Sequence, residues 1–385
     1  MQTPKNIGII GGGQLGMMLL QAASLDSPEV HYTVLEGSED CPAQPFADDL
    51  LIGSLKSDID LRKLASVSDV ITWEIEHIGV DTLVELEKEG KIIIPKPSVL
   101  KTIQDKGVQK LFYRNHGIPT APFVLVNTKS HPPKEILNEL KGDKVVVKAR
   151  TGGYDGKGVQ IVQKSDLESR LYPFEGEVLL EQFVADVLEL AVIVAVDQMG
   201  NMVTYPSIEM YFNPKSNLVE FLYSPAQVSE EIEIQSREIA LKAVKSLESP
   251  GLFAVELFIT ADGEIWVNEM APRPHNSGHH TIEGCATSQF AQLNRILLGR
   301  ELGSTELLQP SAMINVVGPE GISGKYFLAN AVEWEQRNDV YIHMYGKTET
   351  RPDRKLGHIT VTASSLEELL EKAEKIKNEI LIKPS

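Results

Sequence analysis

A glycine-rich hairpin in the middle of the chain most limits what the sequence can fold into. Residues 145–147 and 159–162 are rich in β-branched side chains and predict paired strands, and four of the seven residues at 152–158 are glycine. Such a connection is too long for a tight turn, and its bare backbone amides can surround an anion. Lys148 adds a positive charge at the end of the first strand. The hairpin therefore predicts a binding site for a nucleotide triphosphate, and the alternative is a surface loop without a ligand.

This spacing differs from that of a Walker phosphate loop. A Walker loop continues from Gly-Lys-Ser/Thr into a helix, whereas Gly156-Lys157-Gly158 continues into a predicted strand. The site should therefore belong to another class of nucleotide-binding fold.

Composition and charge exclude some classes of partner. The 385 residues carry a formal net charge of −17 and the sequence pI is about 5.1, so a nucleic acid would be repelled over most of the surface. The sequence has no apolar run as long as a membrane span, and no apolar signal segment precedes the first predicted strand. Cys41 and Cys285 lack metal-ligand spacing, so we expect reduced thiols. These features predict a soluble cytoplasmic protein that binds neither nucleic acid nor a membrane.

The N-terminal residues have the order strand, glycine turn, helix, which is typical of an open α/β sheet. Gly11, Gly13 and Gly16 match the G-x-G-x-x-G pattern, and Glu36 ends the next predicted strand, where dinucleotide-binding folds place a ribose-binding acid. That pattern favours NAD, but the same loop and helix N-terminus can bind any phosphate. Glu74 follows an apolar strand at residues 69–72, so we expect its carboxylate at the ligand crevice of the sheet.

A second predicted hairpin, at residues 252–259 and 264–269, carries two glutamates. If Ile259 pairs with Glu264, Glu256 and Glu269 lie on one face as diagonal neighbours, with Cα atoms about 7–8 Å apart. Two carboxylates on an otherwise apolar hairpin would be costly without a cation. Magnesium fits best, because it takes few protein carboxylates and completes its coordination with nucleotide phosphates. The hairpin therefore predicts a Mg²⁺ site, with Mn²⁺ as the second candidate.

The loop after this hairpin and a basic run near the C-terminus carry further candidates. Prolines predict an extended loop that displays Arg273, His275, Asn276 and Ser277 beside the two glutamates, where they suit a polar substrate and an anionic transition state. The adjacent histidines at 279 and 280 could indicate zinc, but no properly spaced third ligand accompanies them. The basic residues at 347–355 are either a solvated loop or a site for a substrate phosphate, and we favour the phosphate site.

Together these motifs resemble the ATP-grasp superfamily, and within it the 5-(carboxyamino)imidazole ribonucleotide synthetases of purine biosynthesis. Segments 11–16, 152–158, 181–184, 268–278 and 347–355 carry the resemblance, and 268–278 is the most specific of them. The resemblance implies an α/β chain, α+β overall, with the ATP-grasp fold. Its expected domains are an N-terminal open parallel-sheet (pre-ATP-grasp) domain at 1–97, an ATP-grasp domain of two subdomains at 98–305, and a small β-rich domain with a terminal helix at 306–385.

The resemblance also implies a homodimeric ATP-dependent carbon–nitrogen ligase. It would join bicarbonate to 5-aminoimidazole ribonucleotide through carboxyphosphate, with Arg273 and Lys148 as catalytic residues and Glu256 and Glu269 as ligands of Mg²⁺. The nucleotide would be bound by Lys106, Lys148, Gly153, Tyr154, Asp155, Gly156, Lys157, Gly158, Glu181, Gln182, Phe183, Val184, Glu189, Asn268 and Glu269. The ribonucleotide would be bound by Gly13, Gln14, Leu15, Glu74, Tyr154, Asp155, Arg273, His275, Asn276, Ser277, Lys347 and Arg354.

The chain departs from the family pattern at one expected nucleotide contact. The family often has Asn-x-His after the Tyr-Pro that matches Tyr205 and Pro206, whereas this chain has Phe212 near that position. Three other functions remain open: another ATP-grasp ligase, such as a formate-dependent ribonucleotide transformylase or a carboxylase; an NAD-dependent oxidoreductase; and a non-catalytic nucleotide sensor.

Overall fold

The N-terminal unit is a parallel sheet whose central strands are fully buried. The structure is a computed structural model that describes residues 4–129, 134–152, 158–169, 171–213 and 218–385. The elements of this unit are β1 (Asn6–Ile10), α1 (Gln14–Asp26), β2 (His31–Glu36), β3 (Asp49–Ile52), α2 (Asp58–Val67), β4 (Val70–Trp73), α3 (Val80–Lys88) and β5 (Ile92–Ile93). The strand order is β3-β2-β1-β4-β5, and the pairs are parallel. The predicted open sheet is confirmed, but β3, which is short and only half buried, is not among the predicted strands.

A small antiparallel sheet follows and contains the glycine-rich hairpin. Two helices, α4 (Pro97–Ile103) and α5 (Lys106–Asn115), lead into it. Its own elements are β6 (Phe123–Asn127), α6 (Lys134–Glu139), β7 (Lys144–Ala149), β8 (Val159–Gln163), α7 (Lys164–Glu168) and β9 (Glu177–Gln182). The order is β6-β9-β7-β8. Lys148 pairs with Val159, which confirms the predicted hairpin. The residues at 153–157 between its strands lie outside the described residues.

Helix α5 buries a different face from the one its apolar pattern indicates. The pattern predicts a face formed by Val108 with the leucine and phenylalanine that follow, but Val108 is 37% exposed. The residues buried instead include Gln109, Lys110 and Tyr113. The prediction is wrong for Val108, whereas Phe112 does pack against the core. The buried Lys110 has an ionic partner, so the spacing of the apolar residues alone does not indicate which face of the helix is packed.

A large sheet, with strands from two of the expected domains, forms the centre of the molecule. Its strands and the helices between them are β10 (Leu188–Val196), β11 (Met202–Thr204), β12 (Ile208–Phe212), β13 (Val219–Ser224), α8 (Glu230–Lys245), β14 (Gly251–Ile259), β15 (Ile265–Ala271), α9 (Thr281–Gly284), α10 (Gln289–Leu297), β16 (Ser311–Val317), β18 (Val340–Met344) and β20 (Lys355–Thr362). The order is β15-β14-β10-β12-β13-β16-β20-β18, with β11 paired to β10. Phe221 on β13 pairs with Ile314 on β16, so the sheet continues across the expected boundary at residue 306.

The remaining C-terminal elements lie beside this sheet. They are β17 (Gly324–Ala329), α11 (Ala331–Glu335), β19 (Glu349–Thr350), α12 (Leu366–Glu379) and β21 (Leu381–Pro384). The spacing of Ser365 and Glu368 predicts a capping box at the start of α12. Ser365 does cap the helix by accepting a hydrogen bond from the backbone N–H of Glu368. The Glu368 carboxylate, however, accepts hydrogen bonds from Ser364. The return bond of the predicted capping box is therefore made to the residue before the cap.

One apolar core joins the three expected domains. Ile9 of the N-terminal sheet, Ile193 and Phe290 of the central unit, and Met313 and Tyr345 of the C-terminal unit belong to the same buried cluster, which we name the shared core. No helix in the described ranges is long and apolar enough to cross a membrane. The shared core fixes the N-terminal sheet against the central sheet, so the groups that project at their junction have fixed relative positions.

Candidate active site

The two glutamates of the second hairpin lie directly opposite each other. Ile259 pairs with Ile265, so the turn is one residue longer than predicted. A bulge next to Glu256 shifts the register once more, and Glu256 pairs with Glu269. The predicted diagonal pairing is therefore wrong, although both carboxylates do lie on one face. Because the bulge accommodates an extra residue, the consecutive side chains of Asn268 and Glu269 both reach the lysines of the site.

Two lysines predicted to bind the nucleotide contact the carboxylates of this site. Lys106 at the start of α5 places its Nζ 2.6 Å from Oε2 of Glu269. Lys148 on β7 has its Nζ 2.7 Å from Oε2 of Glu181 and donates a hydrogen bond of 3.0 Å to Oδ1 of Asn268. Strands of the small sheet and of the central sheet thus bring charged groups to one place. The structure brings these five predicted residues together.

Lys110 is a residue of this cluster that the sequence analysis does not identify. Its buried Nζ lies 2.8 Å from Oε1 of Glu181 and 2.6 Å from Oγ1 of Thr120. Burial lowers the pKa of Lys110 to about 8, although the carboxylate of Glu181 opposes that shift. Burial alone would raise the pKa of Glu181, but Lys110 and Lys148 outweigh it and the pKa is lowered. A signal was available, because Lys110 lies one helical turn after Lys106 and therefore on the same side of α5.

The remaining carboxylates of the site differ in their affinity for protons. Burial raises the pKa of Glu189 from 4.5 to about 7, and the nearby Lys148 offsets only part of this. Burial and the charge of Glu269 raise the pKa of Glu256, whereas Lys106 lowers the pKa of Glu269. Positive charge therefore stabilises the ionised form of Glu269, whereas Glu189 and Glu256 hold protons more readily than ordinary carboxyls. The part of the site that contains Glu189 and Glu256 therefore has too little positive charge nearby to stabilise both carboxylates in their ionised form.

A cleft lies beside this cluster, at the end of β9. It has a volume of about 420 Å³ and is lined by Gln182 and Val184, together with Thr120 and Trp266 among others. Phe183 lies outside this lining, with its ring 5.7 Å from Nζ of Lys144. A cleft of this size, between backbone at the end of a strand and an indole ring, can take a planar heterocycle.

The residues of the glycine-rich loop are only partly described. Gly158 has a positive φ of 83°, which favours glycine at this position. The predicted ligand-binding residues Gly153, Tyr154, Asp155, Gly156 and Lys157 lie outside the described residues.

The loop after β15 contacts both the N-terminal unit and the glutamate pair. Nη2 of Arg273 lies 3.1 Å from Oε1 of Glu76, and its Nε is buried without a hydrogen-bond partner in the part of the chain that the structure describes. Nδ1 of His275 bonds with Oγ of Ser277 at 2.9 Å, and Nε2 of His275 lies 3.5 Å from Oε1 of Glu256. The loop therefore places a guanidinium with an unused donor beside Glu76 and a histidine ring beside Glu256.

Two amide side chains that the sequence analysis does not identify, those of Asn315 and Gln289, hold this loop in place. Asn276 and Asn315 on β16 exchange hydrogen bonds of 2.9 Å, and Asn315 also donates to the backbone of Val219. Gln289 accepts a hydrogen bond from the backbone N–H of His275. No local pattern indicates either residue, because the partner of each lies on another element of the chain.

The glycine turn at the start of the chain is occupied by carboxylates of the protein itself. Backbone N–H groups of Gly13 and Gly16 donate to Glu74, at 2.9 and 3.4 Å, and the N–H of Gly12 donates to Glu36 at 2.7 Å. Glu74 is buried, and burial raises its pKa. A pyrophosphate would have to displace these carboxylates from the N-terminus of α1. The predicted ribose-binding role of Glu36 is therefore not supported, and the NAD interpretation loses its main structural feature.

The basic run near the C-terminus reaches the N-terminal unit. Nζ of Lys347 donates to the backbone of Lys355 at 2.6 Å and lies 3.5 Å from Oε1 of Gln14. Burial lowers the pKa of Lys347 to about 8, and the charge of Arg354 contributes. Arg354 donates to the backbone at residue 349. The structure thus brings Gln14, Lys347 and Arg354 together, whereas Leu15 has its side chain in the shared core.

No group of three or more histidine, cysteine, aspartate or glutamate side chains suited to a metal ion occurs within the described ranges. The candidate cation site is the pair formed by Glu256 and Glu269, which lie opposite each other and supply carboxylate oxygens.

Family models match three successive parts of the chain. Residues 4–104 match the ribonucleotide synthetase preATP-grasp domain, residues 111–290 match the ATP-grasp domain, and residues 311–372 match the phosphoribosylaminoimidazole carboxylase C-terminal domain.

Curated relatives align with nearly the whole chain. The chloroplastic phosphoribosylaminoimidazole carboxylase of Vigna aconitifolia is 39% identical over 372 residues, which cover 94% of this chain and 64% of the plant protein. The chain thus spans less than two thirds of that longer relative. The N5-carboxyaminoimidazole ribonucleotide synthase of Bacillus subtilis is 36% identical over 359 residues, covering 92% of this chain and 90% of the relative.

Solved structures show the same architecture. The N5-carboxyaminoimidazole ribonucleotide synthetase of Thermotoga maritima is 42% identical, with a TM-score of 0.88, covering 99% of this chain and 100% of that one. The Aspergillus clavatus N5-carboxyaminoimidazole synthase, solved with ADP and 5-aminoimidazole ribonucleotide, is 31% identical, with a TM-score of 0.86, covering 98% and 99%. The ATP-grasp fold expected from the sequence is confirmed, and the chain belongs to the N5-carboxyaminoimidazole ribonucleotide synthase family of ATP-grasp ligases.

Proposed function

We propose that the chain carboxylates 5-aminoimidazole ribonucleotide with bicarbonate and ATP, giving 5-carboxyaminoimidazole ribonucleotide, ADP and phosphate, as a step in the synthesis of purines. The observation that carries this proposal is the convergence of Lys106 and Lys148 with the paired Glu256 and Glu269, next to the cleft at the end of β9. The Aspergillus relative solved with ADP and 5-aminoimidazole ribonucleotide supports the choice of substrates.

ATP would bind across the two sheets. The backbone at 181–184 and the cleft would hold the adenine, Glu189 the ribose, and Lys106 and Lys148 the phosphates, with the loop at 153–158 covering them. Lysine side chains that carboxylate and amide groups already hold in place need little reorganisation to meet a triphosphate, which favours phosphoryl transfer through positioning and charge neutralisation. Asn268 would contribute by holding Lys148 in place.

Glu256 and Glu269 fit a hard divalent cation. Two carboxylates face each other, and burial together with the charge of Glu269 raises the pKa of Glu256, so its ionised form needs a cation. We propose that these residues hold Mg²⁺, or Mn²⁺ in its place, together with the phosphates of ATP. When bound, the cation would neutralise charge on the phosphates.

The ribonucleotide would bind at the junction of the three units. Arg273, His275, Asn276 and Ser277 would contact it from the loop after β15, and the remaining proposed contacts come from the N-terminal turn and the C-terminal basic loop. These are Gly13, Gln14, Leu15 through its backbone, Glu74, Lys347 and Arg354, to which the family resemblance adds Tyr154 and Asp155. The unused Nε donor of Arg273 and the clustered cations near Lys347 are the groups that an anionic substrate would meet.

The chemistry proceeds by phosphoryl transfer to bicarbonate, breakdown of carboxyphosphate, and addition of the amine to carbon dioxide. An oxygen of bicarbonate attacks the γ-phosphorus of ATP, the bond to the ADP oxygen breaks, and carboxyphosphate forms while ADP leaves with the electron pair. Carboxyphosphate then breaks down to carbon dioxide and phosphate, the amine of the ribonucleotide attacks the carbon, and the proton lost by the nitrogen passes to phosphate. Arg273 would stabilise the negative charge that develops, and an enclosed site would keep water from the short-lived intermediate.

The test is the dependence of ADP release on each substrate. We expect release from ATP to require both 5-aminoimidazole ribonucleotide and bicarbonate, with ¹³C from labelled bicarbonate appearing in the carbamate by NMR. Formate-dependent release with no effect of bicarbonate would overturn the proposal in favour of a transformylase. Binding of NAD without binding of ATP would indicate the oxidoreductase, and nucleotide binding without turnover would indicate a sensor.

We further propose a homodimer in the cytoplasm, with the domain limits 1–97, 98–305 and 306–385. The family resemblance supports the dimer and the domain limits. Light scattering on the purified chain and fractionation of the source cells test the assembly and the location, and a monomer at the concentrations of the assay would refute the dimer.

A further inference from the structure

We infer that Gln289 is a positioning residue for the ribonucleotide, acting through the loop after β15. This inference rests on the proposed function, because it assumes that Arg273, His275, Asn276 and Ser277 contact the substrate. Gln289 itself contacts none of the reacting groups. Its effect would be to hold the main chain of this loop in the binding conformation.

The side chain of Gln289 binds the loop backbone at two atoms of one residue. Its Oε1 accepts from the backbone N–H of His275 at 2.9 Å, and its Nε2 donates to the backbone carbonyl of His275 at 2.8 Å. An N–H group can only donate, so the first bond fixes which end of the amide is oxygen. The side chain of His275 meanwhile extends to Ser277 and Glu256. The amide of Gln289 thus sets the orientation of a residue that faces the glutamate pair.

The same amide also orients a second histidine. Nε2 of Gln289 lies 3.2 Å from Nδ1 of His279. Burial lowers the pKa of His279 well below its ordinary value, so the ring is neutral and its Nδ1 accepts this bond. The ring of His279 lies 4.8 Å from that of His358 on β20, the strand that follows the basic loop with Arg354. Gln289 therefore connects the loop after β15, through His279, to the strand β20.

The surroundings of Gln289 hold it in a single position. The side chain is fully buried at the start of α10, where Ser288 caps the helix and the N–H of Gln289 donates to Oγ1 of Thr281. A Cβ atom at Gly278 would come within 2.4 Å of Oε1 of Gln289, so the loop can approach the amide this closely only because residue 278 is glycine. This close fit makes the hydrogen bonds to His275 dependent on the shape as well as the polarity of the side chain.

The chain contains a matched control on the same helix. Gln292 is also fully buried, and its amide donates to the carbonyl of Gly303 at 3.0 Å and accepts from the N–H of Gly303 at 2.8 Å. It holds a loop in the same two-bond manner as Gln289, but that loop carries none of the proposed ligand-binding residues. Gln289→Met and Gln292→Met each remove two bonds to a loop backbone with the same change in side chain, and Gln289→Met also removes the contact with Nδ1 of His279.

The experiment compares both variants of the full-length protein in ADP release and thermal unfolding. We expect similar losses of melting temperature. Only Gln289→Met should raise the KM for 5-aminoimidazole ribonucleotide, by about tenfold to hundredfold, because the loop that places the substrate is misaligned. The KM for ATP should change less than about twofold in both variants, since the lysine cluster is untouched. Gln289→Glu keeps the acceptor for the N–H of His275 and should give a smaller rise in KM than Gln289→Met.

The outcomes separate this inference from the proposed function. Wild-type protein without any response to 5-aminoimidazole ribonucleotide would refute the proposed function itself. A responsive wild type, with Gln289→Met showing the substrate KM of Gln292→Met, would reduce Gln289 to a structural residue and overturn the inference. If Gln289→Met does not fold, Gln289→Glu supplies the comparison, and a substrate KM equal to that of the wild type would again overturn it.

Discussion

Replacing Glu189 by glutamine should make the free protein more stable at alkaline pH and its complex with ATP weaker. Burial raises the pKa of Glu189 from 4.5 to about 7, a difference of about 2.5 pH units. Each unit corresponds to about 1.4 kcal/mol, so ionisation of this residue costs the folded state at most about 3 kcal/mol. Glutamine has no charge to bury and avoids this cost.

The sign follows from proton binding. Between pH 4.5 and about 7 the folded state holds a proton on Glu189 that the unfolded state has lost, so wild-type stability falls as pH rises through this window. The advantage of Glu189→Gln should therefore grow by about 2 kcal/mol between pH 5.5 and pH 8.5 and remain constant above that. Affinity for ATP should fall by about tenfold, because a charged hydrogen bond to the ribose is replaced by a neutral one.

Urea unfolding without nucleotide at pH 5.5, 7.0 and 8.5 measures the first effect, and the KM for ATP measures the second. The exposed Glu374 of α12 provides the control, since its replacement by glutamine removes a charge that water already solvates. A variant Glu189→Gln that is less stable than the wild type at pH 8.5, or a gain that does not depend on pH, would refute the reasoning.

Other perturbations test the neighbouring groups. Lys110→Met leaves the buried Glu181 with one cation, so the free energy of unfolding should fall by about 3 kcal/mol in urea titrations; a midpoint as high as that of the exposed control Lys101→Met would contradict this. Glu256→Gln should abolish the Mg²⁺-dependent part of the thermal shift caused by ADP. In the wild type that part should increase from pH 6 to pH 9, because protons and cation compete for a carboxylate with a raised pKa, and a pH-independent shift would argue against the site. Arg273→Lys keeps the charge but loses the planar donor set, so kcat should drop by about a hundredfold with little change in the KM for ATP, and an unchanged kcat would exclude a role in charge stabilisation.

Local patterns in the sequence were sufficient for much of the fold. Alternating and β-branched runs locate the strands of both hairpins, and the cap at Ser365 locates a helix start. Each of these signals depends on residues within a few positions of one another, which is why it can be read from the sequence. The same holds for the candidate residues Lys148 and Glu269, which follow or end apolar strands.

Features that depend on distant partners could not be predicted in this way. The register of the glutamate pair depends on a bulge, and a bulge has no fixed residue pattern. Lys110 resembles a surface lysine until β9 supplies Glu181, and Glu76 resembles a solvated carboxylate until the loop after β15 supplies Arg273. The glycine turn indicates an anion, but only the folded chain reveals that the anion is its own Glu74.

The shared core has a consequence for how such a chain can be altered. Because Ile9, Phe290 and Tyr345 belong to a single apolar cluster, the three units are not exchangeable modules. A hybrid that borrows only its first hundred or so residues from a relative would place two unmatched surfaces face to face, and a fragment ending at residue 305 would leave the edge of β13 uncovered. Successful recombination would have to transfer both contacting surfaces wherever two units meet. Insertions and deletions should therefore accumulate in the outer loops, while the contacting surfaces change only by compensating substitutions.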